Sequence, residues 1–289
     1  MTPGFGGVFC ALGERGGVRR KLVTVAVVAL IVVAGCSAGG GGGDGTTTQA
    51  ALNGTTASDA GDAVYETPLD SAMVAENHEA AVAEAGTFTL VSTSNQSQGN
   101  QSVSSQSTLK ANYETGAYSS VQRSRGRTIE RFVFGNGSAY QRFELSSGDV
   151  RYMVPQQTAN ASAIAGGQIG SFIQAFDYEH VGTETINGTQ AHVYEASGVE
   201  DLNTSAPGFS GLDTENVSNV GSTLYITEEG LVKQFGYELS LQTNGQEASI
   251  AVTQRYTNLG ETTVEPPAWI DEARANTSDS NSSSASISA

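Results

Sequence analysis

The chain has 289 residues, 30 acidic side chains against 14 basic ones, and a formal charge of −16. That surplus repels nucleic acid and anionic membrane surfaces, which excludes polyanion binding as a function class. Both cysteines, Cys10 and Cys36, fall in the N-terminal segment, so the rest of the chain has no thiol for a disulfide, a metal site or a nucleophile.

Val18-Arg19-Arg20-Lys21 is a basic start. The apolar run Leu22 to Ala34 that follows is too short to span a bilayer as a helix and right for a signal core. It ends Val33-Ala34-Gly35-Cys36, a lipobox order: small residues let a peptidase approach the backbone, and a cysteine sulfur accepts lipid. Residues 1–35 are therefore read as a signal peptide cleaved after Gly35, with the lipid on Cys36. Residues 1–17 look nothing like a signal, which leaves Val18 as a candidate initiator. Arg19-Arg20 leaves the twin-arginine and general secretory routes both open. Removing residues 1–35 leaves 10 basic and 29 acidic residues, a net charge near −19. With Lys21, Lys110 and Lys233 the only lysines, this Ser/Thr/Gly/Ala-rich composition reads as halophilic. The expected place is the extracellular face of the cell membrane, held by lipid on Cys36.

Residues 36–65 form a Gly/Ser/Thr linker with an unbroken glycine run, too poor in apolar surface to offset its ordering entropy. One α+β domain is expected over 66–275, and a disordered Ser/Asn-rich tail over 276–289. Thr67-Pro68-Leu69-Asp70 predicts a helix near 69–85, with Thr67 capping and Leu69, Ala72, Met73, Ala80 and Ala83 on the packing side. Strands are expected at 87–93, 108–113, 117–123, 128–134, 138–145 and 149–154, punctuated by Glu114-Thr115-Gly116 and Gly135-Asn136-Gly137. A helical stretch over Ser162 to Phe176 follows. Then come 179–186 and 190–196 around Asn187-Gly188, 224–227 and 232–241 around Glu228-Glu229-Gly230, and 248–257. The polar, aperiodic segment 198–221 is either a functional loop or disordered. Such tight turns force antiparallel neighbours and one long meander.

Little in this order carries chemistry. No nucleophile elbow, zinc helix, P-loop or dinucleotide fingerprint occurs, so no cofactor and no catalytic residue is assigned. Asp177, Glu179 and His180 cluster, as do His192 and Glu195, but Asp177 and Glu179 share a strand face from which His180 points away. They read as solvated strand residues, and no metal is assigned. Ile169, Phe172, Ile173 and Phe176 match a helix stripe, which either packs on the sheet or lines an apolar cavity. Gly166 and Gly167 beside it suit a moving lid or a late helix start. Glycosylation sequons stand at Asn53, Asn95, Asn100, Asn136, Asn160, Asn187, Asn203, Asn216, Asn276 and Asn281, nearly all in expected turns, linker or tail. Pro266-Pro267 stops a strand, and Trp269 is expected to cover the barrel's edge.

The lipobox, the glycine linker, this strand order and the closing Val264-Glu265-Pro266-Pro267-Ala268-Trp269-Ile270 together resemble haloarchaeal surface lipoproteins of uncharacterised function. The same package, over about Glu66 to Ile270, resembles the LolA-like and LppX-type lipoprotein carriers. That resemblance implies a strongly curved, unclosed, barrel-like antiparallel sheet with helices packed on its concave face. It further implies an apolar concavity holding acyl chains, so the expected ligand is a lipid or isoprenoid. The expected function is binding or carriage of a hydrophobic ligand at the cell surface by a monomer that is not an enzyme. The alternative is a glycosylated surface protein with a filled core and no ligand.

Overall fold

A computed structural model describes residues 63–166, 169–243 and 245–282. The expected signal peptide, Gly35, Cys36, Asn53, Gly167 and nearly all of the linker lie outside these described residues.

The turns shape the architecture. Asn187 and Gly188 both hold positive φ, 50° and 78°, the mirror-image turn whose twist matches the strands it joins. Hairpins link β1 (Thr87–Gln98), β2 (Gln101–Asn112), β3 (Tyr118–Ser124), β4 (Arg127–Val133), β5 (Ala139–Glu144) and β6 (Val150–Met153). A second run comprises β7 (Glu179–Ile186), β8 (Thr189–Ser197), β9 (Val217–Ile226), β10 (Val232–Thr243) and β11 (Gln246–Thr257). Pairing of β1 with β11 joins the runs into one 11-stranded antiparallel sheet ordered β6-β5-β4-β3-β2-β1-β11-β10-β9-β8-β7. Its end strands, β6 and β7, are not paired to each other, so the sheet is unclosed.

Directly paired residues share a face, so the register sorts every strand side chain. Phe88, Ala111, Tyr118, Val133 and Ala139 form one buried cross-strand row. The inner face that carries them also carries Leu90 and Tyr256 and receives three helices. The first, α1 (Ser71–Ala85), starts where the Asp70 carboxylate accepts from the Ala72 and Met73 amides and ends at Gly86, φ 71°. The cap is thus Asp70, not Thr67. Its buried stripe is Val74, His78 and Val82 rather than the expected alanine side. His78 sits at its centre: Nε2 donates to the Ala165 carbonyl at 3.2 Å, and Nδ1 accepts from the Val232 amide at 3.2 Å. Its ring meets Tyr256 edge-on at 4.6 Å, and the Tyr256 hydroxyl also donates to the Ala165 carbonyl, at 3.0 Å. Burial lowers the His78 pKa to about 4, which keeps this ring neutral.

The segment from β6 to β7 holds the described helices α2 (Ala161–Gly166) and α3 (Ile169–Ile173), within the expected helical stretch apart from Ala161. Between β8 and β9, the long connection is not a featureless loop. Leu202, Ala206 and Phe209 are buried, and Phe176 bridges to Leu202 by a backbone pair. Three further boundaries move outward: β1 runs on past 93 and β2 starts before 108, as a hairpin of two 12-residue strands, and β9 starts at Val217.

The last helix, α4 (Ile270–Ser282), carries residues 276–282 of the expected disordered tail. It lies against the outer face, where Arg274 sits over the Phe134 and Tyr140 rings at 5.3 and 5.9 Å. Trp269 stacks on Tyr152 of edge strand β6 at 6.3 Å. Helices therefore lie on both faces and not on one alone. The aromatic outer surface of β5 and β6 supplies the second docking place.

Candidate functional site

On the inner face, one cross-strand row reads Leu224, Phe235, Gln254, Ser92, Ser107, Gln122, Ile129, Phe143 and Arg151 from β9 to β6. It passes from apolar through amide and hydroxyl to aromatic and cationic. The next row, Ser222, Tyr237, Val252, Ser94, Ser105 and Ser124, repeats the change from ring to hydroxyl.

The apolar end is covered. Phe172 of α3 lies 4.3 Å from Phe235 and 5.8 Å from Tyr237, and Phe209 of the long connection lies 6.1 Å from Tyr237. Burial pushes the Tyr237 hydroxyl up to about 12. From Val252 across to β5 the same face is less covered, and Leu109, Ile129, Phe143 and Val252 are all part-exposed.

Strand charges segregate sharply. Glu130, Glu144, Glu179, Glu184, Glu195, Glu238 and Glu247 all point to the outer face. There Arg142 bridges Glu130 at 2.7 Å and Glu144 at 2.9 Å. The charged strand residues of the inner face are Arg127, Arg131 and Arg151. Arg131 donates from Nη2 to Gln141 Oε1 at 3.2 Å, and Gln141 is only 3% exposed.

Of the expected stripe, Ile169, Ile173 and Phe176 are 1%, 2% and 4% exposed, while Phe172 is part-exposed above Phe235. The structure brings the four to the apolar end of the inner face. Sequence reasoning missed Arg131 and Gln141. The signal was present in the alternation of Arg127, Ile129, Arg131 and Val133 against Thr128, Glu130 and Phe132.

The two histidine clusters meet. A bulge between His180 and Gly182 brings His180 Nε2 to 3.3 Å from His192 Nδ1, and His192 Nε2 lies 2.8 Å from Glu228 Oε1. Burial and the neighbouring His192 lower the His180 pKa. His180 points away from Glu179 as expected, but Glu195 faces outward and plays no part. Among the described residues, no group of three or more His, Cys, Asp or Glu is placed to hold a metal ion.

The sequons sort by geometry. Asn100, Asn136 and Asn187 are exposed at hairpin turns. Asn95 lies inside β1, paired with Ala251 and Ser104, and Asn160 caps α2 by accepting from the Ala163 amide at 2.8 Å. The amide nitrogens of Asn203, Asn216 and Asn276 donate to Gln174, Asp213 and Glu272. Asn281 falls within α4. Among the described residues no helix is long and apolar enough to cross a membrane.

Residues 21–273 match a family of unknown function, DUF7537. No curated protein matches the chain. Among solved structures it is similar to LprF from Mycobacterium bovis: identity is 15% over 68% of this chain and 96% of that one, with a TM-score of 0.37. It is similar to lipoprotein LppX from Mycobacterium tuberculosis at 12% identity over 68% and 98% of the two chains, with a TM-score of 0.30. A LolA superfamily protein from Nitrosomonas europaea is similar at 9% identity over 70% and 97%, with a TM-score of 0.20.

Proposed function

The chain belongs to this family of unknown function, DUF7537, and from that premise we propose that its domain binds a lipid or another hydrophobic ligand. The observation that supports this reading is the sorting of the sheet. In a chain with 30 acidic residues, no strand carboxylate among the described residues points to the inner face. A face cleared of carboxylates yet covered over one part only suits hydrocarbon, because an unpaired carboxylate against it is costly. Phe172, at the margin of the cover, is the contact expected to meet ligand first, with Ile169, Ile173 and Phe176 behind it. The sheet then curves around that ligand, with α1 to α3 on its concave side.

The binding domain is held at the cell surface by lipid on Cys36, and residues 36–65 act as its tether. One acyl chain anchors marginally and two anchor stably, at about 0.8 kcal/mol per buried CH₂. Glycans at Asn100, Asn136 and Asn187 fit the exposed turns. The role is binding and not catalysis, by a monomer.

The test is an organic-solvent extract of the folded chain carrying Cys36→Ser, so that its own lipid is absent, analysed by mass spectrometry. A stoichiometric lipid or isoprenoid is expected. An empty extract would sink the reading in favour of a surface protein with a filled core. That second reading draws on one observation: Ile169, Ile173 and Phe176 are already packed, at 1%, 2% and 4% exposure.

A further inference from the structure

We propose that His180 and His192 form a two-nitrogen seat for a divalent transition-metal ion, with Glu228 holding His192 in the tautomer that binds. The inference stands apart from the hydrophobic-ligand reading and draws on the β7–β8 end of the sheet. Both histidines are on the inner face: His192 pairs with Ile226, and His180 pairs with Tyr194, which pairs in turn with Leu224. His180 and His192 are not register partners. The bulge between His180 and Gly182 re-aims the first ring, so that its Nε2 stands 3.3 Å from His192 Nδ1.

Glu228 decides where the second ring keeps its hydrogen. A carboxylate only accepts, so His192 Nε2, 2.8 Å from Glu228 Oε1, carries the hydrogen and Nδ1 of the neutral ring is a lone pair. That lone pair faces His180 Nε2. A carboxylate on the far nitrogen of a ligating histidine fixes the ring and makes the near nitrogen a better ligand. Two nitrogens that each lie about 2.0–2.1 Å from one tetrahedral ion are about 3.3 Å apart, so an ion fits between them with neither strand shifted. When no ion is bound, His180 Nε2–H donates across the same gap. The ion replaces that hydrogen, which moves to Nδ1 of a ring that is only half-buried, and neither ring changes charge. Neutral imidazoles suit zinc, copper and nickel, whereas magnesium and calcium take oxygen. Glu179, Glu184 and Glu195 face outward, so none of them completes the sphere and water fills the remaining positions. Tyr194 and Ile226, both fully buried, back the pair with an apolar wall, the Tyr194 ring 5.1 Å from that of His180.

The experiment uses the full chain without an affinity tag, carrying Cys10→Ser and Cys36→Ser to remove competing thiols. Molar salt and millimolar Mg²⁺ occupy the surface carboxylates. Calorimetric titration is expected to show one zinc ion bound per chain, and zinc should raise the melting temperature. Glu228→Ala, which removes only the orienting partner, should weaken zinc by about tenfold. His180→Gln, which removes a ligand, should weaken it further while its zinc-free melt shows that the variant is folded. His192 is buried, so its part is read without a variant: pulsed EPR of the Cu²⁺-loaded parent should count two imidazoles. No zinc uptake by the parent overturns the seat, as does a copper centre with fewer than two imidazoles. Zinc affinity left unchanged by His180→Gln also overturns it and puts the ion on carboxylates. Affinity left unchanged by Glu228→Ala overturns the part given to that carboxylate.

Discussion

Two regions of one face make the instructive comparison. On β10, the inner positions are Phe235, Tyr237, Leu239 and Leu241, all buried. On β1, two strands away in the same sheet, the corresponding rows hold Ser92, Ser94, Gln96 and Gln98. Backbone pairing is continuous across both. The difference lies in what can be laid on top. Rings on β10 recruit Phe172 and Phe209, whereas the hydroxyls on β1 recruit no comparable ring among the described residues. The covered region is stabilised by apolar burial, and the hydroxyl region by its ladder of two 12-residue strands.

The largest expected effect tests that division directly. Phe235→Ala removes a ring that is 1% exposed and should cost about 3–5 kcal/mol in denaturant unfolding. Phe143→Ala, the same change at a part-exposed position in the same row, should cost about 1–2 kcal/mol. Equal losses in parallel melts would erase the distinction between the two regions.

Acid sharpens the comparison from the helix side. His78 ties α1 to α2 and to the start of β10, and its pKa is held at about 4 against 6.5 when unfolded. The folded chain therefore binds fewer protons at this ring than the unfolded chain. Stability from this group is complete above pH 6.5 and drains as the pH falls from 6.5 toward 4, by about 3 kcal/mol in all. His78→Gln should flatten the dependence across that window in chemical melts. An unchanged slope would mean that the ring gains its proton without penalty.

The same contrast governs how much was legible in the sequence. Hairpins around Asn187-Gly188 and Gly135-Asn136-Gly137 were readable because their turn chemistry is local. The outer parts of β1 and β2 were not, since Ser94-Asn95-Gln96-Ser97-Gln98 has no apolar alternation to mark a strand. The stripe on α1 was hidden because its central buried residue is a histidine between Val74 and Val82. At the candidate site, the α3 stripe was visible as helical spacing. The arginine end was only half visible: alternation over 127–133 groups Arg127 and Arg131 with Ile129, but that Arg151 shares their face follows from register across several strands.

The smallest expected effect falls in the hydroxyl region and is the most direct check on why it differs. Ser94 Oγ is buried and has no hydrogen-bond partner among the described residues. It pairs with Val252 on one side and Ser105 on the other, at the line where apolar rows give way to serine. A buried hydroxyl without a partner loses its water and gains nothing in return, so its presence costs stability. Ser94→Ala should therefore be neutral or stabilising by up to about 1 kcal/mol, although serines on this face look like a hydrogen-bonding network. A loss beyond about 1 kcal/mol would show that Ser94 is bonded and that the region is held by side-chain hydrogen bonds as well as by its ladder. Stabilisation, paired with weaker binding of an amphiphile, would mean instead that the hydroxyl is kept for the ligand at the expense of the fold.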